Sequence, residues 1–135
     1  DSVLNMDLLE SAPASLTPSA QLYGFVQLSG AWVGVIELQC PHTFARISAA
    51  SMTRKAWEEI SDDEIHDALG ELTNIVGGLV KRHLPSPSQL CPPIVVLGTN
   101  MIRRFANSTL LQTACLARGG SQVLQVNIYQ SKPAL

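Results

Sequence analysis

The clearest pattern of apolar and polar positions lies between residue 61 and about residue 84. Apolar residues recur there at the three- and four-residue spacing of an α-helix. They are Ile65, Ala68, Leu69, Leu72, Ile75, Val76, Leu79 and Val80. Ser61, followed three residues later by Glu64, forms a capping box, and Pro85 prevents the helix from continuing. The stretch therefore predicts one long amphipathic helix.

Strand-like runs occur on both sides of this helix. They cover residues 22–28, 32–39, 94–97, 110–117 and 122–129. The first two flank Ser29-Gly30-Ala31, which is typical of a hairpin turn, and Gly119-Gly120 predicts a turn between the last two. The run at 94–97 consists of apolar residues alone, which favours a buried strand.

A shorter helix is predicted between the hairpin and the long helix. Pro41 suits a first helical turn because its missing N–H has no partner there in any case. The helix is expected to end near Met52. Its apolar stripe is expected at Phe44, Ile47 and Met52, with the small Ser48 interrupting it.

The succession of these elements predicts a single α+β domain over residues 21–131. We expect a largely antiparallel β-sheet packed by two α-helices. Residues 1–20 are rich in Pro and Ser and predict an irregular lead-in with one short strand or helical turn. The 135 residues, of which 46% are apolar and 15% charged, are typical of a packed globular domain.

Composition excludes several classes of function. A net charge of −2, dispersed basic residues and only 5% aromatic residues argue against nucleic-acid binding. No apolar run approaches the roughly 20 residues that a membrane-crossing helix needs. The three cysteines lack CxxC spacing, and Cys40-Pro41-His42 alone is a weak metal motif, so neither a disulfide framework nor a metal site is predicted. We expect a cytoplasmic protein without a cofactor of its own.

The candidate chemistry lies on the polar side of the long helix. Asp67, Glu71 and Asn74 fall within an arc of roughly 60°. Three glycines lie in or beside this arc, Gly70, Gly77 and Gly78. Each costs about 1 kcal/mol of helix stability relative to alanine, so a different requirement must favour them. A flat surface with acids, an amide and small residues suits close docking of another protein.

The simplest alternative is an ordinary solvated helix face, since every amphipathic helix has one. Asp67 and Glu71 are like charges four residues apart, which mildly destabilises an isolated helix. A cationic partner would relieve that repulsion. This favours a binding surface over a solvated face.

These residues also carry a family resemblance. The run Asp67-x-x-x-Glu71-x-x-Asn74 resembles the signature of the CheC/CheX/FliY phosphatases, which act on the phosphorylated chemotaxis response regulator CheY. The similarity extends to the glycine-containing hairpin at 26–38 and to the Pro-Pro strand at 92–98. It covers about residues 22–130. The single Glu-x-x-Asn copy is more similar to CheX than to CheC, which usually carries two.

The resemblance implies a phosphatase for the aspartyl phosphate of a CheY-like receiver domain. Asn74 would orient the attacking water, and Glu71 would pair with the receiver's active-site lysine. Asp67 would support the same face, while Gly70 and Gly78 would let the receiver approach closely. Mg²⁺ is expected on the partner receiver and no metal on this chain. The family also implies a homodimer.

An alternative from another functional class remains open. A CheX-fold module could bind a receiver domain or a flagellar switch protein without hydrolysing anything. The loop after the long helix is shorter than is usual in the family, and the family's N-terminal helix has no clear counterpart at residues 1–20. Both features favour that alternative.

Overall fold

The computed structural model describes residues 7–10, 21–97, 108–118 and 121–132. Within them, two helices and seven strands confirm the predicted α+β class. The helices are α1 (His42–Thr53) and α2 (Asp62–Lys81), and a 3₁₀ turn at Trp57–Glu59 lies between them. The strands are β1 (Asp7–Glu10), β2 (Gln21–Gly30), β3 (Gly34–Pro41), β4 (Ser88–Leu90), β5 (Ile94–Leu97), β6 (Ser108–Arg118) and β7 (Ser121–Ser131).

The described strands form one sheet in the order β1-β6-β7-β3-β2-β4, and all their pairings are antiparallel. The predicted hairpin is confirmed as β2 and β3, with Val26 opposite Ile36. Both β4 and β5 pair with β2, at different ends of the same edge. The predicted Gly119-Gly120 turn and most of the lead-in fall outside the described residues, whereas β1 is the short strand within that lead-in.

The hydrophobic core lies between the two helices and one face of the sheet. Alternate residues of β3 point to opposite faces, so Ile36 and Leu38 enter this core while Glu37 faces the other way. The buried positions that α2 contributes are Ile65, Ala68, Leu69, Leu72, Thr73, Val76 and Gly77. Five of them belong to the predicted stripe, whereas Thr73 and Gly77 do not. Of the other predicted positions, Ile75 and Leu79 are exposed and Val80 is partly buried.

The predicted stripe of α1 is wrong in part. Phe44 is buried, but Ile47 and Met52 are exposed, and the helix instead packs through Ala45, Ser48 and Ala49. Ser48 can enter the core because its hydroxyl donates a hydrogen bond of 3.0 Å to the Phe44 carbonyl. Small residues permit close packing of α1, which apolar periodicity alone does not indicate.

The run at 94–97 is an edge strand and not a buried one. β5 pairs with β2, and Ile94 is 51% exposed. The Cys91-Pro92-Pro93 segment separates it from β4, which the sequence did not predict. In this segment the Cys91 amide N–H donates a hydrogen bond of 2.9 Å to the Gln27 carbonyl. The edge strand therefore runs beside α2 and forms part of the surface considered next.

Gly24 sets how closely α2 approaches the sheet. A Cβ atom at this position of β2 would collide with the Thr73 hydroxyl oxygen of α2. The buried Thr73 hydroxyl donates a 2.7 Å hydrogen bond to the Leu69 carbonyl, which satisfies it inside the core. Asn74 lies about 100° further around the helix than Thr73 and is exposed.

Candidate functional site

The start of α2 is fixed by reciprocal hydrogen bonds. The Glu64 amide N–H donates to the Ser61 hydroxyl at 3.2 Å, and the Ser61 amide N–H donates to the Glu64 carboxylate at 2.9 Å. Lys55 contacts the same carboxylate at 2.6 Å. The hydrogen bond from Lys55, followed by the backbone bond from Ser61, lowers the pKa of Glu64. The predicted capping box is confirmed, and it fixes the first residue of the helix.

The polar side of α2 carries the predicted residues. Asp67, Glu71 and Asn74 are all exposed, while the opposite side of the helix is buried in the core. The structure therefore brings the two acids and the amide to one accessible face, as the spacing predicted.

This face borders a shallow groove of about 350 Å³. One wall is α2, and the other is formed by Pro93 and Val95 at the edge strand β5. The α2 residues that line it are His66, Asp67, Gly70, Glu71 and Asn74. We call this the acid–amide groove. Four of the five residues predicted for the site line it, and Gly78 does not.

The glycines of α2 differ in their surroundings. A Cβ atom at Gly70 would lie 3.7 Å from Val95 Cγ2 and 3.9 Å from Pro93 Cγ, which are ordinary contacts. At Gly78 it would meet nothing within 4 Å. Gly77 was expected beside the polar arc, but it is buried, and a Cβ there would come 2.8 Å from Val26 Cγ2. Gly77 is therefore a packing residue, whereas Gly70 and Gly78 are open to the outside.

The functional groups of the groove have few internal partners. His66 Nδ1 lies 4.0 Å from Asp67 Oδ1, and both side chains are exposed. Among the described residues, the side chains of Glu71 and Asn74 make neither a hydrogen bond nor an ion pair. A carboxylate can accept hydrogen bonds and pair with a cation, and a carboxamide can both donate and accept. Their full capacity is available to an external molecule.

Sequence reasoning missed the opposite wall of this groove. Pro93 and Val95 lie 12 and 14 residues beyond Lys81, the last residue of α2, and reach the helix only through the pairing of β5 with β2. The Pro-Pro pair before an apolar run was a signal for an edge strand, since proline is confined to sheet edges. His66 also lines the groove.

A larger groove of about 540 Å³ lies elsewhere, between the C-terminal half of α2 and strands β6 and β7. Its lining is mostly apolar and includes Val76, Val80, Leu116 and Val126. It shares no residue with the acid–amide groove. Its lining has no pair of acids or acid with amide, so it offers no comparable chemistry.

Other candidate chemistry was also located. Within the described residues, no three His, Cys, Asp or Glu side chains lie close enough to hold a metal ion. Cys40 is fully buried, and burial raises the pKa of its thiol to about 12. Trp32 is buried, whereas Trp57 is 41% exposed beneath the Arg46 guanidinium. No helix in the described part of the chain is long and apolar enough to cross a membrane.

Comparison with known proteins places these features in context. The family described as Chemotaxis phosphatase CheX matches residues 22–115. A complex of CheX, CheY, BeF₃ and Mg²⁺ from Borrelia burgdorferi has a similar fold, with 17% identity, a TM-score of 0.70, and coverage of 96% of this chain and 86% of that one. CheX from Desulfovibrio desulfuricans is also similar, at 17% identity and a TM-score of 0.69, with coverage of 96% and 89%.

A third solved structure is a CheC-like superfamily protein from Shewanella. It is 21% identical, has a TM-score of 0.63, and the match covers 96% of this chain and 88% of that one. No curated protein matches the chain significantly. At these identities the solved structures establish the shared fold, and the family match covers both the hairpin and α2.

Proposed function

The chain belongs to the chemotaxis phosphatase CheX family, and on that premise we propose that it accelerates hydrolysis of the aspartyl phosphate on a CheY-like receiver domain. The observation that carries the proposal is the exposed pair of Glu71 and Asn74, which have no internal partner among the described residues. They lie on a helix whose opposite side is packed against the sheet. The related Borrelia structure contains CheY beside CheX, which supports a receiver as the partner.

Glu71 would dock the receiver by pairing with a lysine in the receiver's active site. Its carboxylate is exposed and lines the acid–amide groove. A charge-assisted hydrogen bond strengthens when docking removes water from around it. The same pairing would offset the repulsion between Asp67 and Glu71, and Asp67 would support the docked face without touching the phosphoryl group.

Asn74 would act on the reaction itself. Its carboxamide can accept a hydrogen bond from a water molecule and hold it in line with the scissile bond. The water oxygen then bonds to phosphorus while the bond from phosphorus to the aspartyl carboxylate oxygen breaks. The products are inorganic phosphate and the free carboxylate of the receiver. Such catalysis depends on positioning and electrostatics, and needs no covalent intermediate on this chain.

The metal ion of this reaction would belong to the receiver. The Borrelia complex contains Mg²⁺ and BeF₃. A divalent cation would neutralise the negative charge on the phosphoryl oxygens. The residues of this chain would then supply only docking and water orientation.

Gly70 and Gly78 would let the receiver approach the helix backbone. Gly70→Ala tests this without disturbing the fold, because its new methyl group would make only ordinary contacts with Pro93 and Val95. We expect a raised KM for the phosphorylated receiver, with a folded protein whose free energy of unfolding is raised by up to about 1 kcal/mol because alanine favours the helix. An unchanged KM would show that the receiver does not approach this part of α2.

The proposal is tested by phosphate release from a phosphorylated receiver of the same genome. We expect the wild-type chain to accelerate the loss of phosphate. Asn74→Ala should lower kcat by about 100-fold, since misplacing a reacting group costs about that factor. Binding to the BeF₃-activated receiver should be retained, because Asn74 acts on the water and not on docking.

Asp62→Ala is the matched control, because Asp62 is exposed on the same helix but does not line the groove. It should leave turnover unchanged. Binding of the receiver without acceleration by the wild-type chain would overturn the phosphatase proposal and leave a docking module. Equal activity of Asn74→Ala and wild type would overturn the assignment of Asn74.

We also propose that the chain acts in the cytoplasm as a homodimer, as the family resemblance implies. Light scattering during size-exclusion chromatography measures the mass in solution. A mass near that of one 14.5 kDa chain would contradict the dimer.

A further inference from the structure

Two residues of the apolar stripe predicted for α2 lie at the surface of the protein. Ile75 is 38% exposed and Leu79 is 37% exposed. Together with Glu71 they follow one another at four-residue intervals, which places the three side chains in a row along the helix. Single exposed apolar residues are ordinary, but an exposed apolar row that continues from a recognition site is typical of an interface.

Leu79 also lines the 540 Å³ groove between α2 and strands β6 and β7, which we call the apolar groove. Val76 and Val80 lie on its helix side, and Leu116 and Val126 lie on its sheet side. None of the described residues along this groove is a carboxylate, a lysine or an arginine. The groove therefore suits apolar side chains of a partner, which would leave water on entering it.

We propose that Ile75 and Leu79 bind an apolar patch of the receiver, and that apolar side chains of this patch enter the apolar groove. This inference rests on the proposed function, because it assumes that the receiver docks at Glu71 and Asn74. The polar residues would then fix the register of the complex, and the apolar residues would add affinity. A receiver that fits this surface carries an apolar patch beside the cation that pairs with Glu71.

The size of a protein interface favours the receiver as the occupant. A standard interface buries about 800 Å² on each partner, which is a patch roughly 16 Å in radius. Leu79 lies eight residues beyond Glu71 and five beyond Asn74, or about 12 Å and about 7.5 Å along the helix axis. A receiver centred on Glu71 and Asn74 would therefore cover Ile75 and reach Leu79.

The acid–amide groove is too small to be the whole contact. Seven residues line it, whereas a standard interface contains about 20–30 residues on each side. The rest of the contact must come from neighbouring surface, and the exposed apolar row is the continuation of that surface along α2.

The stretch of α2 between the two grooves presents no obstacle to such a contact. No charged side chain lies between Glu71 and Lys81, so a partner that covers this stretch removes no charge of α2 from water. A Cβ atom at Gly78, which precedes Leu79, would meet nothing within 4 Å. The surface that continues from Asn74 is therefore uncharged and accessible.

The test measures binding of the BeF₃-activated receiver to Ile75→Gln and Leu79→Gln. Glutamine has a helix propensity close to that of leucine, so the helix should be retained. We expect each variant to raise Kd about tenfold, because apolar surface is no longer buried on docking. The kcat for the phosphorylated receiver should remain unchanged, since neither residue acts on the water.

Two further variants separate lost apolar contact from a general effect on the fold. Leu79→Met retains apolar surface and should bind the receiver as wild type does. Leu110→Gln is the matched control, because Leu110 is 51% exposed but lies opposite Tyr129, on the face of the sheet away from the helices. It should leave Kd unchanged. A raised Kd in Leu110→Gln equal to that in Leu79→Gln would contradict the proposal.

Salt distinguishes the apolar contact from the polar one. Added salt screens exposed charges, over about 8 Å at physiological ionic strength and over shorter distances above it. The loss of affinity in Glu71→Gln should therefore shrink as salt is added, whereas the loss in Leu79→Gln should persist. A Leu79→Gln effect that disappears with salt would overturn an apolar contact.

Other occupants of the apolar groove would give different results. Unchanged Kd in Leu79→Gln, together with a lower mass than wild type in light scattering, would assign the groove to a second copy of the chain. Unchanged Kd with a lowered free energy of unfolding would assign Leu79 to packing within the chain. Either result would overturn the proposal.

Failure of this inference is distinguishable from failure of the phosphatase proposal. Weakened receiver binding in both glutamine variants, without turnover by wild type, would support the apolar contact while overturning catalysis. Turnover that depends on Asn74, with wild-type Kd in both variants, would do the reverse. No binding of the receiver to wild type would overturn both.

Discussion

The molecule contains two groups in which a glutamate lies near an asparagine, and their surroundings are opposite. On α2, Glu71 and Asn74 are exposed and have no internal partner among the described residues. On the face of the sheet away from the helices, Glu37 and Asn127 are 2% and 5% exposed. The Asn127 side-chain N–H donates to the Glu37 carboxylate at 3.0 Å.

The buried group is part of a larger network. The Asn127 carbonyl oxygen accepts hydrogen bonds from Thr113 at 3.0 Å and from Gln125 at 3.1 Å, and Tyr129 forms a hydrogen bond with Glu37. These hydrogen bonds use the donor and acceptor capacity of the Asn127 side-chain amide within the fold. The comparison shows that residue types alone do not define a functional site. Hydrogen-bonding capacity left available to another molecule is what distinguishes the surface of α2.

The largest expected effect comes from removing the amide of the buried group. Asn127→Leu should lower the free energy of unfolding by about 2–4 kcal/mol, because the buried Glu37 carboxylate loses a donor. Urea denaturation measures the change. Asn74→Leu is the matched control and should shift stability by no more than about 0.5 kcal/mol, since its site is exposed. Similar losses in both variants would remove the distinction between the two groups.

Replacing the glutamate of each group by glutamine, at Glu71 and at Glu37, should separate an effect on docking from an effect on folding. Glu71→Gln removes the charge that we propose to pair with the receiver and should raise KM about tenfold, which corresponds to about 1.4 kcal/mol. Its unfolding curve should match that of wild type. Glu37→Gln should leave KM unchanged for the folded protein. A raised KM in Glu37→Gln together with a wild-type KM in Glu71→Gln would contradict the assignment of docking to Glu71.

Two adjacent glycines extend the comparison to the helix backbone. Gly78→Ala should raise the free energy of unfolding by up to about 1 kcal/mol, because alanine favours the helix and nothing obstructs its methyl group. Gly77→Ala should lower it, because the methyl group would press on Val26. Thermal unfolding of both variants measures the two changes in stability. A change of the same sign in the free energy of unfolding of both variants would show that the two glycines do not differ as described.

The smallest expected effect is a loss of stability at alkaline pH that involves Tyr129 in the buried group. Burial, and then the charge of Glu37 and the hydrogen bond to it, raise the pKa of Tyr129. The resulting stabilisation is fully present below the unfolded tyrosine pKa of about 10 and is lost as pH rises through the folded value. Unfolding measured between pH 9 and 11.5 should show a steeper loss in wild type than in Tyr129→Phe. Parallel curves would contradict this.

Local signals explain what the sequence predicted well. The capping box at Ser61 and Glu64 and the apolar spacing of α2 depend on residues within a few positions of each other. They fix the start and orientation of the helix, and hence the exposure of Glu71 and Asn74. The hairpin was predicted for the same reason, from alternating strands around a turn.

Features that depend on distant pairing were not predictable. Glu37 and Asn127 are 90 positions apart, and only the alignment of β3 with β7 brings them together. The packing of α1 through Ser48 required knowledge of how closely the helix approaches the sheet. Likewise, Val95 became a wall of the groove only because β5 pairs with β2 beside α2.

The break between β4 and β5 has a consequence for solubility. Exposed sheet edges present rows of N–H and C=O groups onto which another chain can add a strand, which promotes aggregation. Pro92 and Pro93 have no N–H, so they interrupt this row beside the exposed Ile94. The two prolines thus discourage growth of the sheet into larger assemblies. Because Pro93 also lines the acid–amide groove, the surface that we propose to remain open for a receiver is protected from becoming a site of self-association.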